Sequence, residues 1–168
     1  MSSTHSPAQT PLIRAFQSED LPPLLVFWED IYQELGWPVR PEDELEQIKD
    51  VFSGKTGFLM VVCREDEILG SGGVKPWHEA GSGILKRFYL VEALRGSGLA
   101  EQLLEKVEAK ARTMGYHRLV LDAARDNPRA VRFYEKAGFT RFEPDELHHW
   151  GNVQMTQPEL FWFYEKTI

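Results

Sequence analysis

Apolar residues Leu24, Leu25, Phe27, Trp28 and Ile31 recur near helical spacing and predict a first helix that closes around Leu35-Gly36. Ahead of it, Leu12 to Phe16 reads as a short strand, and the oxygens of Ser18, Glu19 and Asp20 suit a helix N-cap. Pro38 and Pro41 break the chain. Glu42-Asp43-Glu44 then puts negative charge at the start of a second helix running to about Phe52, where it complements the helix dipole. The middle changes period: Gly57 to Arg64, Glu67 to Lys75 and Ile84 to Val91 read as strands, divided by turn signals at Glu65-Asp66 and Ala80-Gly81-Ser82-Gly83. Three antiparallel strands are the economical assembly. Leu99, Leu103, Val107, Ala111 and Met114, flanked by Ala100 and Leu104, mark one face of a long helix capped by Gly115. Arg118 to Asp122 follows as a buried strand. Asn127-Pro128 opens another helix, which Gly138 closes, and the alternation Leu160, Trp162, Tyr164 makes Glu159 to Lys166 a last strand.

A strand, a helix and a second strand in succession normally form a right-handed parallel crossover. Ile84–Val91 and Leu119–Asp122 should therefore lie parallel in one sheet. The fold class is α+β with a mixed sheet. At 168 residues the chain fits one domain, expected over residues 11–168, and the small polar residues 1–10 read as a disordered lead-in. No internal repeat or low-complexity tract is present.

Cys63 is the only cysteine and sits in the apolar run Phe58 to Cys63, which excludes an intrachain disulfide and suits a buried thiol in a reducing compartment. The formal charge of −7, spread along the chain, argues against nucleic acid as a partner. No apolar run approaches the roughly 20 residues needed to span a bilayer, and Met1 to Pro7 lacks a signal-peptide pattern, so no membrane partner and a cytoplasmic location are expected.

Candidate chemistry begins at Arg95-Gly96-Ser97-Gly98-Leu99-Ala100, a glycine loop leaving a strand and opening a helix. Glycine lets backbone approach a ligand closely, and the free amides and dipole of a helix start favour a phosphate or pyrophosphate, to which Arg95 would add charge. A plain strand-to-helix turn would also use glycine here. The loop is neither the dinucleotide-binding pattern, which needs glycine or alanine at Gln102, nor a Walker loop, which needs Lys followed by Ser or Thr.

About thirty residues on lies Asn127-Pro128-Arg129-Ala130-Val131-Arg132-Phe133-Tyr134-Glu135-Lys136-Ala137-Gly138-Phe139. Together with Leu85-Lys86-Arg87-Phe88-Tyr89-Leu90 and Arg95-x-x-Gly98-x-Ala100, it resembles the GNAT superfamily of N-acetyltransferases over roughly Leu85 to Phe139. The resemblance implies a mostly antiparallel sheet with a central parallel pair and helices on both faces. It also implies transfer of an acetyl group from acetyl-CoA to an amine, by direct attack in a ternary complex and without a metal.

By the same resemblance, Phe88, Tyr89 and Leu90 offer backbone groups to the pantetheine arm and acetyl carbonyl. Arg95, Gly96, Ser97, Gly98, Leu99 and Ala100 wrap the pyrophosphate. Asn127 hydrogen-bonds near a wedge where two strands splay, a role compatible with its alternative as a helix N-cap. Tyr134 matches a tyrosine that protonates the departing thiolate, and packing on the helix face beside Ala130 and Phe133 is the structural alternative. The alternatives are a non-catalytic acetyl-CoA-binding module and a transferase using another acyl-CoA, for which the bulk of Phe88, Phe133 and Ala123 would decide acyl length.

The acceptor side is less defined. Family members often place a glutamate base on the strand that here carries Lys86 and Arg87, with Glu92 beyond its working part. Glu79, His78, Asp122 and His148-His149 are the candidate substitutes, although such residues are more often plain surface or turn residues. Residues 35–40 and His148-His149-Trp150 would flank the acceptor, a small molecule or peptide amine, and Trp37, Trp77 and Trp150 would build an aromatic wall or pack internally. Lys86 and Arg87 would attract an acidic acceptor or face solvent. The aromatic terminal strand makes a homodimer possible.

Overall fold

The computed structural model describes residues 9–38, 48, 51–52 and 55–168. The strands are β1 (Leu12–Ala15), β2 (Phe58–Arg64), β3 (Glu67–Pro76), β4 (Ser82–Leu90), β5 (Arg118–Ala124), β6 (Thr140–Arg141) and β7 (Phe161–Thr167). They form one sheet in the order β1-β2-β3-β4-β5-β7-β6, in which every neighbouring pair is antiparallel except β4 and β5. The helices are α1 (Leu21–Leu35), α2 (Leu99–Thr113), α3 (Pro128–Lys136) and the short α4 (Asn152–Thr156).

Strand alternation divides the side chains between two faces. On one, Val62, Leu69, Val74 and Leu85 pack against Leu103, Leu104, Val107 and Ala111 of α2, with Phe133 and Tyr134 of α3 alongside. On the other, Leu59, Val61, Cys63 and Ile68 meet Leu24, Phe27, Trp28 and Ile31 of α1. A third cluster, Ile84, Val120, Trp150 and Phe163, lies farther across the sheet. Cys63 is buried, as its apolar setting predicts.

Several sequence expectations change. Ser18–Asp20 is a 3-10 turn, and Asp20 makes no capping bond to α1. A cap carboxylate accepts from the second or third helical amide, and here those positions are Pro22 and Pro23, which have no N–H. Asp20 instead receives both arms of the Arg14 guanidinium, at 2.6 and 2.7 Å, and the Gln17 amide at 2.8 Å. The last strand starts at Phe161, because Pro158–Leu160 forms a 3-10 turn. It is an interior strand, flanked by β5 and β6, rather than a free edge available to another chain. β6 and α4 are each too short for a period to mark them. Residues 1–8 of the expected lead-in lie outside the described residues. So does most of the second helix, of which Ile48 and Val51 are helical and Ile48 is buried against α1. No described helix is long and apolar enough to cross a membrane.

The feature that shapes the site is a bulge in β4. Ser71 pairs with Tyr89 and Gly73 with Lys86, so two residues, Arg87 and Phe88, stand opposite the single Gly72. Arg87 takes a left-handed φ of 57°. Its carbonyl accepts the Ser71 hydroxyl proton at 2.6 Å, and Ser71 Oγ in turn accepts the Trp28 indole N–H at 2.9 Å. The Arg87 guanidinium lies 5.0 Å from the centre of the Trp28 ring, a cation–π contact, and burial lowers its pKa.

Candidate active site

The loop 95–98 delivers the chain into α2 with Gly96 at φ 76° and Gly98 at φ 86°. Left-handed backbone is what glycine supplies. A Cβ at either position would meet nothing within 4 Å, so the space over the loop is open. Gly98 is the N-cap of α2 and, having no side chain, makes no capping hydrogen bond to the amides of the first turn. That is an uncapped helix start facing free space, a good cradle for a pyrophosphate. Ser97 donates its hydroxyl to the Leu94 carbonyl at 2.5 Å, bracing the turn.

Arg95 is already engaged. It binds the Leu90 carbonyl through Nε at 3.0 Å and holds both oxygens of Glu34, at 2.5 and 3.0 Å. The Arg95 hydrogen bonds, and then the charges of Arg95 and Arg129, keep the Glu34 carboxyl below its ordinary pKa against partial desolvation. Arg95 thus ties the loop to the end of α1. Arg129, at the start of α3, is a nearby cation that the sequence reading passed over. Only its position in the second motif hinted at it.

Beside the loop the sheet opens. β4 and β5 pair only at Ser82–Arg118, Gly83–Leu119 and Ile84–Val120, although both strands continue beyond. β5 stays paired with β7 from Arg118 to Ala124, while β4 beyond Ile84 continues its ladder with β3 and leaves β5. Phe88 flanks the opening, its ring 5.5 Å from Phe133 and 6.2 Å from Tyr134 of α3. Tyr134 is half-buried, and its hydroxyl makes no hydrogen bond among the described residues. Desolvation raises its pKa, with smaller contributions from Tyr89 and Asp122. Asn127 accepts the Ala130 amide at 3.2 Å and so performs the cap role. Ala123 is buried in the α2 side of the core, and Leu90 lies there too.

On the opposite face of the wedge, the parallel register predicts what is found. Ile84 faces Val120, and two residues further along each strand Lys86 meets Asp122, Nζ to Oδ1, at 3.2 Å. Gln154 of α4 donates to the other Asp122 oxygen at 3.0 Å. Asp122 is only 13 % exposed and Lys86 27 %. This ionic bridge spans the mouth where the strands have lost their backbone bonds. Neither Lys86 nor Arg87 simply faces solvent.

The other substitutes for a base lie elsewhere. Glu79 accepts from Arg118 at 2.8 Å, and His78 lies 3.7 Å from Glu79. His78 stacks on His149 with ring centres 3.6 Å apart and planes 8° apart. The three tryptophans do not form one wall. Trp37, 44 % exposed, sits with Tyr32 and Tyr89, while Trp77 packs 4.5 Å from the buried Trp150. Trp77, His78, His149 and Lys75 line a pocket of about 390 Å³. Val39 and Arg40 fall outside the described residues.

Comparison with known proteins agrees with this geometry. Residues 23–139 match the model of the acetyltransferase (GNAT) family. An uncharacterized N-acetyltransferase of Escherichia coli K12, YjgM, is 28% identical over 142 residues, covering 80% of this chain and 85% of that protein. Acetyltransferase Atu2258 of Agrobacterium fabrum is 34% identical over 83 residues, 49% of this chain and 59% of that one. Among solved structures, an acetyltransferase from Streptococcus agalactiae 2603 superposes with a TM-score of 0.80 at 21% identity, over 95% of this chain and 99% of that one. With the family model matched across the first helix, the glycine loop and the wedge, this chain belongs to the acetyltransferase (GNAT) family.

Proposed function

We propose that this acetyltransferase moves an acetyl group from acetyl-CoA to the amine of a small molecule or peptide, by direct attack while both are bound. The observation that carries this reading is the wedge: β4 leaves β5 after Ile84, and the glycine loop, Tyr134 and Asp122 border the opening. The pyrophosphate of the donor rests on the amides of residues 96–100, where the space is open and the helix start uncapped. The edge of β4 from Phe88 to Leu90 that faces away from β3 offers backbone groups to the pantetheine arm.

The acceptor reacts as a free amine, so its proton must leave before attack. Asp122 is the carboxylate at the far mouth of the wedge and receives that proton, directly or through water. The amine nitrogen then bonds the acetyl carbon, the carbon–sulfur bond breaks with its electron pair left on sulfur as the thiolate, and the second proton that the nitrogen sheds passes to water to leave the neutral amide. Tyr134 donates its O–H to the departing sulfur. An ordinary thiol has a pKa near ~8.5 and an ordinary tyrosine near ~10, and burial raises Tyr134 further, so full transfer to the thiolate is uphill by more than about 2 kcal/mol. Tyr134 therefore works as a persistent hydrogen-bond donor that stabilises the thiolate and stays protonated throughout.

The test is thiol release from acetyl-CoA across a panel of amines, for the enzyme and for Asp122→Asn. The variant should lose about 100-fold in kcat at neutral pH and recover part of it as pH rises and more of the amine is free. An equal loss at every pH would remove the proton-accepting role.

A further inference from the structure

His148 and His149, left unused by the acetyl-transfer reading, sit in the segment before β7 with a common neighbour. A turn closed by the Trp150 amide on the Leu147 carbonyl, at 3.0 Å, places the two consecutive histidines at its centre. The reversal brings their rings within 3.8 Å of each other. Both point a nitrogen at one carboxylate oxygen: His148 Nε2 is 3.6 Å and His149 Nε2 3.5 Å from Glu146 Oε2. All three candidate ligand atoms lie within 4.8 Å of one another.

Those separations have a chemical meaning. Ligands held about 2.1 Å from a tetrahedral zinc ion stand about 3.4 Å apart along each edge of the tetrahedron. Two edges are already near that length, and rotation of the exposed His148 side chain closes the third. His149 is the less free partner, because His78 stacks flat on its ring and Trp77 contacts it edge-on with centres 6.2 Å apart. Two imidazoles and one carboxylate suit a borderline divalent transition ion and leave room for water or another ligand.

We propose that Glu146, His148 and His149 form a site for a divalent transition-metal ion of the zinc class. A bound ion ties the turn that leads into α4 together beside Trp77 and His78, on the wall of the pocket that those residues line. The ion plays no part in acetyl transfer, and the proposal does not depend on that reading.

The experiment uses the full chain without an affinity tag, stripped with a chelator. Zinc chloride is titrated calorimetrically, and nickel is followed by quenching of tryptophan fluorescence, since Trp77 adjoins the site. One ion per chain with micromolar affinity is expected, with no response to magnesium or calcium, whose hard ions prefer all-oxygen shells. His149→Ala should weaken zinc binding by more than about 100-fold, beyond what loss of an outer-shell partner costs. Glu146→Gln, an exposed and conservative change, should weaken it by at least about tenfold. His5→Ala and His117→Ala should leave it unchanged. Zinc binding only at millimolar concentration, or binding that His149→Ala and Glu146→Gln leave intact, would overturn the proposal.

Discussion

The two borders of β4 follow opposite rules. Toward β3 it is paired from Gly83 to Leu90 around one bulge, and small residues allow the close fit: a Cβ on Gly72 would lie 2.7 Å from the Phe88 ring, and one on Gly70 3.0 Å from the Leu90 side chain. Toward β5 the pairing ends after Ile84, and the Lys86–Asp122 ion pair crosses the gap. A bulge bends its strand and increases the local twist, and this one sits just where β4 departs from β5. The closed border is thus where the fold is held and the open border where chemistry has room. Substitutions on one side should alter stability and on the other binding or turnover.

The largest effect is expected at the open border. Gly96→Glu with Gly98→Glu places bulk and negative charge in the phosphate cradle at left-handed positions, and should weaken acetyl-CoA binding about 1000-fold in calorimetric titration while the chain stays folded. Tyr134→Phe should lower kcat by about 100-fold, with acetyl-CoA affinity changed less than about twofold. Loss of binding in step with turnover would make Tyr134 a packing residue. At the closed border, Ser71→Ala strips partners from the buried Trp28 N–H and the Arg87 carbonyl, and should cost about 1–3 kcal/mol in denaturant unfolding. A large loss of acetyl-CoA affinity without loss of stability would break the contrast.

The smallest effect is electrostatic and remote from both borders. Arg14 hydrogen bonds, with help from the Gln17 amide and the Arg14 charge, lower the Asp20 pKa against desolvation. A depressed carboxyl pKa contributes stability that is present above the unfolded value near ~4 and is lost as pH falls through the folded value. The melting temperature should therefore drop below about pH 4, and drop less steeply in Asp20→Asn.

What the sequence revealed follows the range of each interaction. The α2 face, the Asn127 cap and the glycine loop depend on residues a few positions apart, so periodicity and motif expose them. Lys86 and Asp122 are 36 residues apart, and Arg95 and Glu34 are 61 apart; these partners meet only once the strands are registered. The first pair was within reach: parallel β4 and β5 with Ile84 opposite Val120 imply Lys86 opposite Asp122 by a period of two. The Arg87 bulge was not, because an arginine gives no warning of left-handed backbone.

That bulge also governs how the chain tolerates changes in length. Beyond Arg87, Phe88 and Leu90 face α2 and Tyr89 faces α1, a parity set by the one extra residue. Deleting Arg87 would leave one residue between Lys86 and Tyr89, opposite Gly72, so Phe88 and Leu90 would keep facing α2, but the bend that carries β4 away from β5 and the carbonyl that accepts the Ser71 hydroxyl would be lost. Adding or removing a residue at the Glu65-Asp66 turn leaves the parity of β4 untouched. Among relatives of this chain, insertions and deletions should accumulate at such turns, while the span from Leu85 to Leu90 keeps its count even where its letters change.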